Sequence, residues 1–294
     1  MAHLYLTHGL VLSLPFLCEQ LAPSIAAAQP DIRVIEAAVP RALDSSICST
    51  REFDAFPDRF LYRGGLRSAR FLVINGETIT FFKNRCCDAD LFLHHLLHPV
   101  MAAALRQRRL LVLHASGAVD ARGAVLVIGE SGAGKSSTVA HLVANGWQLQ
   151  TDDVSALRVN AVGQVEVMPG VARIHLHDGV AAALPFDTSK LQRHVWHREK
   201  MAVQVPSVSQ APKVIRRIVH LGRSAGEQVR ATRVTGLDKL RLLLRGVYGP
   251  LLPEQIKGNF DLLSRALDNV DTLSVERPAD RWTLDAVAQV VADE

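Results

Sequence analysis

The sequence predicts an α/β fold over most of the chain, with a small α+β region ahead of it. Three observations carry the prediction. The glycine-rich run Gly129-Glu130-Ser131-Gly132-Ala133-Gly134-Lys135-Ser136 lies between an apolar, β-rich segment (124–128) and a helical one (136–144). From there a strand closing in Asp152-Asp153, further strand-like runs and a mostly helical last third follow, a mix of strands and helices. Upstream, short strand-like runs follow one another and lead into one long helical run.

The elements follow in order. Residues 4–6, 32–37, 71–74 and 78–82 read as strands, and Asn75-Gly76-Glu77 between the last two is a hairpin signal. Residues 88–105 read as helix, kinked or broken at Pro99. The chain therefore divides into a first region, 1–105, and a second, 106–294. Residues 110–113 form a strand ending in His114-Ala115-Ser116-Gly117, and 120–123 form a turn. The strand 124–128, the glycine-rich loop and its helix come next, and Asn145-Gly146 caps that helix. The strand 147–151 ends in Asp152-Asp153. Residues 157–159 and 165–168 make a hairpin, and 203–205 and 214–221 are further strands. The last third is helical at 237–247, 259–267 and 283–292, with a strand at 271–275.

Composition narrows the function. At 294 residues the chain is one large domain or two modest ones, and 48% hydrophobic residues suffice for a sizeable core. Aromatics are only 5%, so stacking surfaces for bases are scarce. The net charge of +4 is spread along the chain. Its densest spots, Arg106-Gln107-Arg108-Arg109 and Arg216-Arg217, read as solvated faces without interleaved aromatics, so nucleic acid is not expected as a partner. Cys18, Cys48, Cys86 and Cys87 form no C-x-x-C pair, and adjacent cysteines make no ordinary disulfide, which points to a reducing compartment. The apolar run 9–18 is interrupted by Pro15 and has no preceding Lys or Arg. Ala26-Ala27-Ala28 therefore reads as no cleavage site, and no run reaches the ~18 apolar residues of a membrane span. A cytoplasmic protein without a membrane partner is the expectation.

The glycine-rich run fits G-x-x-x-x-G-K-[ST] in its proper strand–loop–helix context. Glycines let the backbone turn its N–H groups toward phosphate oxygens, and the helix N-terminus adds partial positive charge. Lys135 is expected to reach the β- and γ-phosphates and Ser136 to hold Mg²⁺, so a nucleoside triphosphate is the expected ligand. Asp152 and Asp153 close the next strand, where carboxylates could hold the metal and accept a hydroxyl proton. Adjacent residues on an extended strand point opposite ways, so at most one sits squarely on the metal unless the strand has already bent, and that suits divided roles. His114 ends the strand before the loop's strand and comes close to the phosphates if the two are neighbours.

Together these residues carry a resemblance. His114, the loop 129–136, Asn145-Gly146-Trp147 and Thr151-Asp152-Asp153 resemble the catalytic domain of the HPr kinase/phosphorylase family. The similarity is strongest over residues 108–155. It implies a mixed β-sheet around a P-loop, of the phosphoenolpyruvate carboxykinase-like type, with flanking helices. It implies Asp152 as the general base that takes a serine proton, Asp153 as a support for the metal together with Ser136, and His114 beside that base. The catalytic set is thus Asp152, His114 and Lys135. The ATP-binding set is Gly129, Glu130, Ser131, Gly132, Ala133, Gly134, Lys135, Ser136, Ser137 and Arg173, and the cofactors are ATP and Mg²⁺.

The chain departs from the bifunctional enzymes after the aspartates. Met168-Pro169-Gly170-Val171-Ala172-Arg173-Ile174-His175-Leu176 stands in place of their second glycine-rich signature. It looks like the kinase-only branch, some of whose members resemble enzymes that phosphorylate a serine of lasso-type precursor peptides. The implied activity is ATP-dependent transfer to a serine of a protein or peptide, and the family's hexamers leave a homo-oligomer open. Two rivals stand beside it: a kinase for a small hydroxyl compound such as free serine, and a regulatory module that binds ATP without transfer. Arg198 or Lys200, in a polar stretch, could stabilise the transferring phosphoryl group. His94 and His98, and His175 and His177, have metal-compatible spacing but no cysteine or carboxylate at a telling distance, so no transition-metal site is expected. No G-x-S-x-G occurs, which disfavours a serine hydrolase.

Overall fold

The computed structural model describes residues 2–24, 29–186, 200–205 and 207–293, together with the backbone of 192–193. Ala26-Ala27-Ala28 and Arg198 lie outside the described residues. In chain order the first strands are β1 (His3–Thr7), β2 (Leu10–Leu14), β3 (Ala22–Pro23), β4 (Ile32–Glu36), β5 (Cys48–Ser49), β6 (Phe53–Ala55), β7 (Arg59–Arg63), β8 (Ala69–Ile74) and β9 (Thr78–Lys83). Helices α1 (Ala89–His95) and α2 (Met101–Gln107) and strand β10 (Leu111–Leu113) follow. Next come β11 (Ala115–Asp120), β12 (Gly123–Ile128), α3 (Lys135–Ala144), β13 (Gln148–Thr151), β14 (Ser155–Val159), β15 (Val165–Val167), β16 (Arg173–His177) and α4 (Asp178–Ala183). The chain ends with β17 (Gln192–Arg193), β18 (Lys200–Gln204), β19 (Lys213–Ser224), β20 (Arg230–Arg233), α5 (Gly236–Arg245), α6 (Pro253–Gly258), α7 (Phe260–Asn269), β21 (Asp271–Pro278) and α8 (Leu284–Ala292).

These elements form two compact units, residues 1–112 with 247–261, and residues 113–246 with 262–294. The first unit holds a sheet of order β3-β1-β2-β4-β9-β8-β7-β6-β5. Its centre is the expected hairpin of β8 and β9, closed at Asn75-Gly76. Alternation buries Phe71 and Phe81 on one face. The Phe92 ring of α1 packs on that face, its centroid 5.4 Å from Phe71 and 5.0 Å from Phe81. Asp88 opens α1 by accepting the Leu91 N–H at 3.0 Å. The kink expected at Pro99 is a five-residue π-turn, Leu96–Val100, between α1 and α2. Proline lacks the N–H of a regular helical bond, and the wider turn absorbs the loss.

The second unit is a mixed sheet of order β14-β15-β19-β12-β11-β13, with β21 also beside β19 and β20 beside β21. Strand β12 runs parallel to β19 and β19 parallel to β21, whereas β11 is antiparallel to both β12 and β13. It follows that β12, β13, β19 and β21 all end at one edge, where β11 begins. Val125 and Val127 of β12, Val139 and Ala140 of α3, and Ala288 and Val291 of α8 share the buried core. Each buried valine there contributes about 2 kcal/mol. A separate small sheet pairs β16 with β18 and β18 with β17.

One strand differs from expectation in a way that matters. Residues 114–117 do not simply end the strand 110–113. The chain resumes as β11 at Ala115, and β11 is the strand that pairs with β12, Ala115 opposite Ile128. The sequence masks it because Ala-Ser-Gly-Ala has little β-propensity. His114 therefore stands at the entrance of β11, at the edge where β12 ends, and its N–H donates to the Gly246 carbonyl at 2.7 Å. Among the described residues no helix is long and apolar enough to cross a membrane.

Candidate active site

The loop begins where β12 ends. Gly129 has φ +147°, and a Cβ there would collide with the Leu221 carbonyl oxygen of β19. Only glycine turns the chain at this point. The loop closes on itself through the Ala133 N–H, which donates to the Glu130 carbonyl at 3.1 Å. Glu130 and Ser131 are exposed at its tip, and Ala133 is buried beneath it. Gly134, at the N-cap of α3, offers no side chain to the first-turn N–H groups, which leaves them directed at an incoming anion. Ser136 and Ser137 follow on that turn, both half-buried.

Lys135 is buried and folds back along the loop. Its Nζ donates to the Gly129 carbonyl at 3.0 Å and to the Glu130 carbonyl at 3.2 Å. Burial lowers its pKa, and the charges of Asp153 and Asp152 oppose that shift.

The two acids converge rather than diverge. Strand β13 ends at Thr151, whose Oγ1 donates to the Val154 carbonyl at 2.7 Å and pins a tight bend. Asp153 has φ +63°, a left-handed backbone uncommon outside glycine. The opposite pointing expected from an extended strand does not occur, because the strand has stopped before the pair. Asp152 Oδ1 accepts from Ser116 Oγ at 2.5 Å and from Ser136 Oγ at 2.9 Å, while its Oδ2 accepts the His175 N–H at 3.0 Å. The side chain is only 2% exposed, against 26% for Asp153. Burial, then the charge of Asp153, pushes Asp152 up to about 7, against the opposing bonds from Ser116, His175 and Ser136.

His114 Nε2 lies 3.4 Å from Asp153 Oδ1. His175, set aside on the sequence for want of an acidic partner, stands on β16 with Nδ1 3.9 Å from an oxygen of each aspartate. Arg173 heads the same strand, two residues away and therefore on the same face as His175. Lys200 begins β18, and its charge bears on Lys135. Sequence reasoning missed Ser116 and His175. A serine in an Ala-Ser-Gly-Ala run and a histidine without a nearby acid in sequence gave no sign that the first's hydroxyl and the second's backbone N–H would meet Asp152.

The residues fit a phosphate chain with a divalent cation. The uncapped helix start and the buried lysine are groups that would answer phosphates. Ser136 Oγ and the Asp152 carboxylate are hard oxygen donors of the kind Mg²⁺ takes.

No family model and no curated protein matches the chain. Among solved structures it is similar to the HPr(Ser) kinase/phosphatase from Coxiella burnetii, at 18% identity and a TM-score of 0.32. The match covers 61% of this chain and 87% of that one.

Proposed function

We propose that the second unit is an ATP- and Mg²⁺-dependent kinase of the P-loop, phosphoenolpyruvate carboxykinase-like type, transferring the γ-phosphoryl group to a serine hydroxyl of a protein or peptide. The observation that carries this reading is the bond from Ser136 Oγ, on the first turn after the loop, to the buried Asp152 carboxylate at 2.9 Å, with Asp153 alongside. A passive glycine turn has no use for two converging carboxylates at its edge. A phosphoryl-transfer site needs them.

The hydrogen bonds favour a division of roles opposite to the one the family resemblance implies. Both Asp152 oxygens are engaged by Ser116, Ser136 and the His175 N–H, and burial with the charge of Asp153 raises the group's pKa. A buried carboxylate held by the metal-binding serine of the loop suits a cation ligand. Ser136 and Asp152 would hold Mg²⁺, which when bound supplies charge neutralisation to the phosphate oxygens. Asp153 is more exposed and faces His114, so it is the carboxylate an acceptor hydroxyl can reach. In the transfer, the acceptor Oγ–P bond forms as the bond from the γ-phosphorus to its bridging oxygen breaks. The hydroxyl proton passes to Asp153, with His114 steadying the carboxylate, and ADP leaves. Lys135 moves its ammonium from the loop carbonyls to the phosphates.

The test is transfer from γ-labelled ATP with Mg²⁺ to HPr, to short peptides encoded beside this gene, and to free serine. Asp152→Asn and Asp153→Asn serve as controls. Label on a protein or peptide serine, lost in both variants, is the expected result. Label on free serine alone replaces the acceptor class with a small molecule. Tight ATP binding with no transfer to any acceptor would sink the kinase reading in favour of a regulatory module.

A further inference from the structure

Arg223 and Arg277 are register partners on the parallel strands β19 and β21. They stand across the loop from the acid pair, because the sheet runs β21-β19-β12-β11-β13 at this edge. Two guanidinium groups set directly opposite each other repel. The cost falls on Arg277, whose pKa is lowered by burial and then by the charge of Arg223.

What offsets the repulsion is the loop backbone. Arg277 Nε donates to the Ala133 carbonyl at 2.8 Å, and Arg223 Nη2 donates to the Gly132 carbonyl. At Gly132 the missing Cβ makes room for Arg223, whereas at Gly134 a Cβ would only come into ordinary contact with Arg277. A Cβ on Gly132 would lie 3.0 Å from Arg223 Nη2, and one on Gly134 would lie 3.5 Å from Arg277 Nε. Bonds from a charged donor to a carbonyl are among the stronger hydrogen bonds a protein makes.

The grip has a geometric consequence. The Ala133–Gly134 peptide is trans, so holding the Ala133 carbonyl toward Arg277 turns the Gly134 N–H to the opposite side. The Ala133 N–H is already spent on Glu130, which leaves the Gly134 N–H as the donor that this grip aims.

We infer that Arg277, with Arg223 beside it, positions the phosphate loop by holding its carbonyls outward, so that the Gly134 N–H faces the distal phosphates of a nucleoside di- or triphosphate. The inference rests on the nucleotide-binding part of the proposed function. Arg277 acts through the loop and touches no reacting atom. A lysine at this position reaches one carbonyl without the rigid fork, so it restores part of the effect.

The experiment measures ATP, ADP and AMP affinity by calorimetry, with hydrogen exchange of the nucleotide-free loop, for the full chain and for Arg277→Met, Arg277→Lys and Arg223→Met. Arg277→Met is expected to weaken ATP and ADP about tenfold and to leave AMP unchanged. It should speed exchange at the 129–134 amides while the rest of the second unit keeps its protection. Arg277→Lys should recover part of the loss. Unchanged ADP affinity in Arg277→Met overturns the inference, and so does faster exchange across the whole unit. If Arg277→Met does not fold, Arg223→Met, at an exposed position, decides by the same two readouts with a smaller loss expected. A wild-type chain that binds no nucleotide overturns the proposed function together with this inference, whereas wild-type binding that Arg277→Met matches overturns this inference alone.

Discussion

Ser136 Oγ donates to Asp152 Oδ1 at 2.9 Å, tying the helix after the phosphate loop to the strand that follows that helix. The same oxygen takes Ser116 Oγ from β11 at 2.5 Å, so β11, α3 and the bend after β13 meet at one carboxylate atom. Burial, then the charge of Asp153, pushes that carboxylate up to about 7. A divalent ion held there would oppose that shift. Asp152→Asn is therefore expected to cut phosphoryl transfer by about a hundredfold or more while leaving metal-free ATP binding nearly intact. Ser136→Ala should behave likewise, with the Mg²⁺ concentration for half-maximal rate shifted upward. Steady-state rates against Mg²⁺ at saturating ATP check both. Full activity in Asp152→Asn would remove the acid from the site.

His114 and Asp153 are expected to act as a unit. Their side chains stand 3.4 Å apart, with Asp153 in a left-handed backbone conformation. His114→Gln should lower kcat by about tenfold and Asp153→Asn by about a hundredfold. The double variant should be no slower than Asp153→Asn, because a histidine that works through a carboxylate has nothing left to steady. A double-mutant cycle on kcat measures this, and strictly additive losses would separate the two roles.

The loop and its flanking elements were legible in the sequence because each signal is local. A β-rich run, a fixed glycine pattern and a helical run lie within about twenty residues. The hairpin of β8 and β9 is similar, with alternation on both arms and Asn75-Gly76 between them. Strand β11 was not legible, since Ala115-Ser116-Gly117-Ala118 is held in the sheet by neighbours on both sides rather than by its own propensity. The convergence of Asp152 and Asp153 depends on one non-glycine residue at positive φ, which no period reveals. Arg277 meets Ala133 across 144 positions, so its part in the loop follows from strand register alone. The return of 247–261 to the first unit likewise has no local signal.

The first unit carries its own pH-sensitive staple. Arg63 on β7 donates from Nη1 and Nη2 to the Asp54 carboxylate of β6 at 2.7 and 2.9 Å, and Ser49 Oγ and the Leu43 N–H add bonds at 2.6 and 3.0 Å. Asp54 is only 4% exposed, and its hydrogen bonds from Arg63 hold its carboxyl well below the usual carboxylate range. The folded pKa lies below the unfolded one. The stabilisation is therefore complete above the unfolded value of about 4 and is lost as pH falls below it toward the folded value. Asp54→Asn is expected to cost about 2–3 kcal/mol at pH 7, because it leaves the guanidinium without its counter-charge. As pH drops below about 4, the difference between wild type and variant should shrink, since the unfolded wild type takes up a proton there while the folded carboxylate stays charged. Urea unfolding of both proteins from pH 7 to pH 3, followed by a probe in the first unit, checks the sign. A gap that stays constant across that range would place the cost of the substitution in packing rather than in the ion pair.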